Sequence, residues 1–212
     1  MHEPLPHRGA VTECAAAPRH VLHQDFETRS RVNLRKVGAH RYASDPNTEV
    51  LCCAYAVDDG PVQLWVRGDP QPAEFIEAAR NPNWVVVAHN DQFEAAIEQH
   101  IMVPRYGWPE IPSERRECSQ SMCLAAGLPA KLSAAADALE LGNRKDAAGE
   151  RLMHQMSKPR RPHKDEDPAG TYWFADAERL HRLYDYCKQD VEVERELHGR
   201  VSALRCHRRS RR

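Results

Sequence analysis

The chain has 212 residues, 41% of them hydrophobic, which is enough for one full-sized core or at most two small ones. Thirty basic residues against 31 acidic ones leave a net charge of −1, so the totals do not describe a globally basic nucleic-acid binder. No apolar run reaches the roughly eighteen residues of a membrane-spanning helix, and the opening MHEPLPHRGAVTECAAAPRH lacks the apolar stretch of a secretory signal, so a cytoplasmic protein without a membrane partner is expected.

Residues 1–19 mix Pro, His, Glu and Ala without period and read as a mobile tail. HVLHQDFET, from residue 20, is a short strand that stops at an acidic cluster. EVLCCAYAV (49–57) is a strong strand, followed by the turn Asp58-Asp59-Gly60-Pro61 and by VQLWV (62–66), which completes a hairpin. A helix is predicted over 72–80, then a buried strand in WVVVAH (84–89). In QFEAAIEQHIM (92–102), Phe93, Ile97 and Ile101 form one apolar helical stripe. SMCLAAG, LSAAADALEL and GERLMHQMS read as three further helices separated by glycine-containing turns. KPRRPHKDEDPAG (158–170) is an exposed, charged loop, and a long helix runs from Phe174 to about Leu204 with Leu180, Leu183 and Tyr184 on one face. One α/β domain with a tail at each end accounts for this pattern. The seven cysteines (14, 52, 53, 118, 123, 187 and 206) include no CxxC pair and read as reduced thiols rather than a disulfide framework or a zinc site.

Three acidic clusters fall at element edges. In Asp25-Phe26-Glu27-Thr28, strand alternation puts Asp25 and Glu27 on one face and sends Phe26 into the core. Two carboxylates that close repel unless a cation lies between them, and hard oxygen ligands suit Mg²⁺ or Mn²⁺; the plain reading is a solvated strand edge. In His89-Asn90-Asp91-Gln92-Phe93-Glu94, Asn90 or Asp91 is a good helix N-cap and Glu94 a favourable first-turn charge. In the third cluster Tyr186 and Asp190 stand at i and i+4 on one helix face.

The order and form of these three motifs together resemble the tyrosine-bearing branch of the DEDD superfamily of 3′→5′ exonucleases, in particular the proofreading exonuclease domain of phage and bacterial family-A DNA polymerases. The similarity extends over residues 20–198, including DFETRSRVNLRKVGAHRYASDPNTEVLCCAYAV and KLSAAADALELGNRKDAAGERLMHQMSKP. It implies an RNase H-like fold, a mixed five-stranded sheet flanked by helices with the acids gathered at one end. It also implies two divalent ions, Mg²⁺ or Mn²⁺: Asp25, Glu27 and Asp190 on the first, Asp25 bridging to the second, and Glu94 supporting that second ion. The first ion would activate a water oriented by Tyr186 and the second would stabilise the leaving 3′-oxyanion, releasing nucleoside 5′-monophosphates. Thr28, His89, Asn90 and Phe93 become candidate substrate contacts, although His89 also reads as a structural residue at a strand end.

Two features depart from the family pattern. Most relatives carry Asp where this chain has Glu94, one methylene longer, so Asp91 is a rival ligand; Glu94 is preferred because it follows Phe93. A polymerase domain of several hundred residues follows the exonuclease in the polymerases, whereas this sequence stops at Arg212, so no polymerase activity is expected and a polymerase partner in trans is conceivable. The last residues, RVSALRCHRRSRR, hold six arginines and no acid, and read equally as a phosphate-binding element or a disordered tail over 199–212. The expected substrate is single-stranded or frayed DNA 3′ ends. A ribonuclease of the same fold and a non-catalytic nucleic-acid-binding relic are the competing readings.

Overall fold

A computed structural model describes residues 19–143 and 146–209, with side chains described as far as Leu204. The expected mobile tail up to residue 18 and the last three residues of the basic tail lie outside the described residues. Five strands form one mixed sheet in the order β3-β2-β1-β4-β5: β1 is His20–Arg29, β2 Glu49–Val57, β3 Gln63–Val66, β4 Trp84–Ala88 and β5 Arg116–Cys118. β1–β2 and β2–β3 pair antiparallel, while β1–β4 and β4–β5 pair parallel. This is the sheet that the resemblance implied, with β5 and the short helices after β1 added to what the periodicity had resolved.

The helices are α1 (Leu34–Val37), α2 (Ala39–Ala43), α3 (Ala73–Arg80), α4 (Asp91–Ile97), α5 (Val103–Tyr106), α6 (Ser119–Ala126), α7 (Leu132–Ala138), α8 (Ala147–Met156) and α9 (Ala177–Arg209). The apolar stripe predicted over 92–102 does not continue as a regular α-helix, because α4 passes into a π-helical turn, Glu98–Met102. Ile97 and Ile101 are nonetheless buried and Phe93 packs partly against them.

β2 explains its own near-continuous apolar run. Val50, Cys53 and Tyr55 point into the main core with Phe26, Trp65, Phe75 and Trp108. Cys52, Ala54 and Ala56 point to the opposite face, against Cys187 and Val191 of α9. Small side chains on that face let a helix approach the sheet closely, which brings α9 down onto β1 and β2. Farther along, Val193, Leu197 and Val201 pack with α6 and α7. Val201 is fully buried, and α9 runs through residues 199–209 of the anticipated tail.

Candidate active site

β1 pairs with β4 only through His23↔Val87, so Asp25, Glu27 and Thr28 project beyond the end of β4. The carboxyl ends of parallel strands are where open α/β sheets form ligand crevices. A register shift against β2 falls between Glu27 and Thr28, a bulge of the kind that re-aims side chains at a strand end. Phe26 is 4% exposed and stacks near Trp108, so the alternation expected from the sequence holds, with Asp25 and Glu27 on the other face.

α9 supplies the third carboxylate. One oxygen each from Asp25, Glu27 and Asp190 lie within 4.8 Å of one another, a spacing at which they could hold a metal ion. The donor set fits a hard divalent cation: three carboxylates, two of them buried, drawn from two elements far apart in sequence. The register of α9 is held one turn beyond Asp190, where buried Glu194 meets His23 Nδ1 at 2.6 Å.

Glu94 stands just outside that triad. Its Oε2 accepts a hydrogen bond from the Phe26 backbone N–H at 3.2 Å, a donor beside which β4 has already ended. Burial, reinforced by the negative charges of Asp25, Asp91 and Glu98 and opposed by Arg116, pushes the Glu94 carboxyl well above the ordinary range. The rival Asp91 faces elsewhere. Arg116 on β5 binds it at 2.7 Å and binds Glu98 at 2.7 Å, and Gln24 also donates to Glu98, at 2.5 Å. Glu94 lines the cleft over the triad and Asp91 does not.

Tyr186 is fully buried beside the same carboxylates, whereas Tyr184 is half-buried and packs toward β3 on the other side of α9. Burial first, then the negative charge of Asp190 and Glu27, holds the Tyr186 phenol far above the usual tyrosine range. Two neighbours of this tyrosine were not read from the sequence as part of the site. Gly149 of α8 lies flat against the ring: a Cβ there would sit 2.9 Å from Tyr186 Cγ and 2.8 Å from Asp146 Oδ2. Asp146 caps α8, accepting from the N–H groups of Ala148 and Gly149, and also pairs with Arg182 of α9. Cys187 donates its thiol to Asp25, 3.3 Å from the carbonyl oxygen and 3.4 Å from Oδ2. A glycine inside a helical pattern was the one available hint; Cys187 had none.

The cleft above the acids has a volume of about 610 Å³. Thr28, His89, Asn90 and Phe93, the candidate substrate contacts, all line it. Thr28 shares a hydrogen bond with Tyr42 at 2.9 Å. His89 is held by the Ala130 carbonyl at 2.7 Å and by Ser119 at 3.1 Å. Asn90 corrects the capping expectation: it occupies the N-cap position with φ 72° and ψ 48°, in the left-handed region, and its side chain makes no cap hydrogen bond. Asn is among the few non-glycine residues that enter this region readily, and Asn90 lines the cleft.

Among the described residues no helix is long and apolar enough to cross a membrane. No protein-family model matches the chain. A DNA polymerase of Bacillus phage SP02 is 35% identical over 182 residues, covering 84% of this chain. The chain spans about a quarter of that relative, 27% of its length. Among solved structures, Escherichia coli RNase D, an exoribonuclease involved in structured RNA processing, matches with a TM-score of 0.50 at 13% identity, over 86% of this chain and 40% of that one. Brucella melitensis NrnC with bound Mg²⁺ matches with a TM-score of 0.46 at 11% identity, over 86% and 74% of the respective chains. The chain is thus similar over most of its length to one part of a phage DNA polymerase, and it shares its fold with RNase D while bringing acids from separate motifs together at one end of the sheet.

Proposed function

We propose that this chain is a divalent-metal-dependent 3′→5′ exonuclease that hydrolyses DNA from its 3′ end to nucleoside 5′-monophosphates. The observation that carries this reading is the convergence of Asp25, Glu27 and Asp190 at the floor of a cleft that also holds Glu94 and Tyr186. The polymerase relative favours DNA over RNA as substrate.

Asp25, Glu27 and Asp190 would hold one ion, with Asp25 and Glu94 serving a second. Two Mg²⁺ or Mn²⁺ ions, when bound, supply Lewis-acid activation of a water and charge neutralisation at the leaving oxygen. The carboxylates contribute the negative charge without which two dications at close range would repel. Tyr186 would act as a hydrogen-bond donor that orients a water, since burial holds its phenol above the usual tyrosine range. Glu94 is fixed at β1 by the Phe26 N–H, which compensates for its extra methylene by anchoring the longer side chain.

The test is incubation of 3′-labelled DNA and RNA oligonucleotides with Mg²⁺ or Mn²⁺ and analysis for released mononucleotides. DNA is expected to yield them, EDTA to stop the reaction, and Asp25→Ala to leave less than about a tenth of the activity, a loss of more than about 1.4 kcal/mol of transition-state stabilisation. Faster release from RNA would move the substrate to the ribonuclease reading. No release from either would return the chain to a nucleic-acid-binding relic.

A further inference from the structure

The floor of the cleft carries four carboxylates, Asp25, Glu27, Glu94 and Asp190, yet a polyanionic strand has to enter it. The chain's near-zero net charge gives no general attraction. The two walls of the cleft differ from the rest of the surface. Residues 30–44, carrying α1 and α2, contain four Lys or Arg and no acid. Residues 151–164, the end of α8 and the loop after it, contain five and no acid. Arg35 lines the cleft from the first wall and Lys158 from the second.

Both side chains are exposed, and neither has a carboxylate partner among the described residues. Other cations are held in ion pairs, among them Arg29–Glu49, Lys131–Glu150 and Arg182–Asp146, and within the second wall Arg160 pairs with Glu166. The two walls are tied at one end, where the Ser30 N–H donates to the Ser157 carbonyl at 3.1 Å, so the separation of the lips is built in. Between them, Phe93, Leu34 and Met153 offer apolar surface. Free cations flanking aromatic and apolar surface are the elements of single-strand binding, in which phosphates are tracked by charge and bases stack. A volume of about 610 Å³ is in the range of small-ligand pockets and admits the end of a strand, not a double helix.

Building on the exonuclease reading of the same site, we infer that Arg35 and Lys158 form a two-sided phosphate clamp for the strand upstream of the scissile bond. The clamp grips phosphates that are not cleaved, so it acts on strand binding and leaves the hydrolytic step alone.

The experiment compares two substrates: a 3′-labelled single-stranded DNA oligonucleotide, and the p-nitrophenyl phosphodiester of thymidine 5′-phosphate, which has one cleavable phosphate and none upstream. Arg35→Ala with Lys158→Ala is expected to lower kcat/KM on the oligonucleotide at least about tenfold at low salt. It should flatten the log–log salt dependence by about 1.4, or about 0.7 for each single-strand phosphate that is no longer neutralised, and leave the nitrophenyl ester within about twofold. Fluorescence anisotropy of a labelled strand in EDTA should show the same weakening, and Lys158→Arg should retain binding. Equal loss on both substrates, or no loss on the oligonucleotide, overturns the clamp. Wild-type protein that hydrolyses neither substrate overturns the exonuclease reading itself, and the clamp with it.

Discussion

Gly149 and Gly199 make a matched pair that tests the seating of Tyr186. Both lie inside helices, α8 and α9, where replacing Gly by Ala ordinarily stabilises by about 0.5–1 kcal/mol. At Gly199 the added methyl meets nothing within 4 Å. Gly199→Ala should therefore realise the full gain and raise the melting temperature by about 1–4 °C, given about 2–4 °C per kcal/mol for a domain of this size. At Gly149 the same methyl would lie 2.9 Å from Tyr186 Cγ and 2.8 Å from Asp146 Oδ2, closer than such atoms pack. Overpacking costs typically about 1–3 kcal/mol, which outweighs the propensity gain, so Gly149→Ala should lower the melting temperature by about 1–8 °C. The tyrosine ring is the group that has to yield, and catalytic geometry is sensitive to shifts of this size, so kcat should fall at least about tenfold with little change in KM. Thermal denaturation in EDTA and hydrolysis of a 3′-labelled oligonucleotide measure the two effects. If Gly149→Ala proves as stabilising as Gly199→Ala and retains its activity, Tyr186 is not seated by α8 and the packing argument fails.

Tyr186→Phe should lower the rate by roughly tenfold to a thousandfold, about 1.4–4 kcal/mol, while Tyr184→Phe, at a half-buried position facing β3, should change stability before rate; the reverse pattern in steady-state kinetics would refute the register of α9. Glu94, whose folded-state pKa is raised by burial and by Asp25, contributes stability that is fully present below its unfolded value of about 4.5 and is lost as pH rises through the folded value. In EDTA the protein should therefore be stabilised by mild acid, and Glu94→Gln, which keeps an acceptor for the Phe26 N–H, should be more stable than wild type at neutral pH and lose that advantage at low pH, as melting curves across pH will show. Arg116→Met strands the buried Glu98 and the partly buried Asp91 and should cost about 3–5 kcal/mol in urea denaturation; adding Asp91→Asn and Glu98→Gln should recover most of that loss, and a triple variant no more stable than the single one would refute the ion-pair explanation.

What the sequence determined by itself was local. Period-two alternation is enough to put Asp25 and Glu27 on one face with Phe26 opposite, and helical spacing is enough to stack Tyr186 over Asp190, because both follow from backbone geometry within a single element. The hairpin, the buried strand expected over 84–89 and the long C-terminal helix were legible for the same reason, as was the likeness to the DEDD exonucleases, which rests on short motifs ordered along the chain. Contacts between elements were not. Asp91 and Glu94 share one helical turn, and the choice of which faces the cleft is made by Arg116, which arrives on β5 and claims Asp91. The apolar stripe through Ile97 and Ile101 hid a π-helical turn, because the sequence signals a buried face but not the hydrogen-bond spacing behind it. The capping role expected of the Asn90 side chain gave way to a left-handed backbone with no side-chain cap hydrogen bond, and the cysteine beside Tyr186 proved to touch Asp25 across 162 positions of chain. Even the acidic triad exists only because small side chains at Cys52, Ala54 and Ala56 let α9 settle close to the sheet. Carboxylates on β1 and α9, far apart along the unfolded chain, repel one another and meet only when the packing of a core elsewhere compels them to.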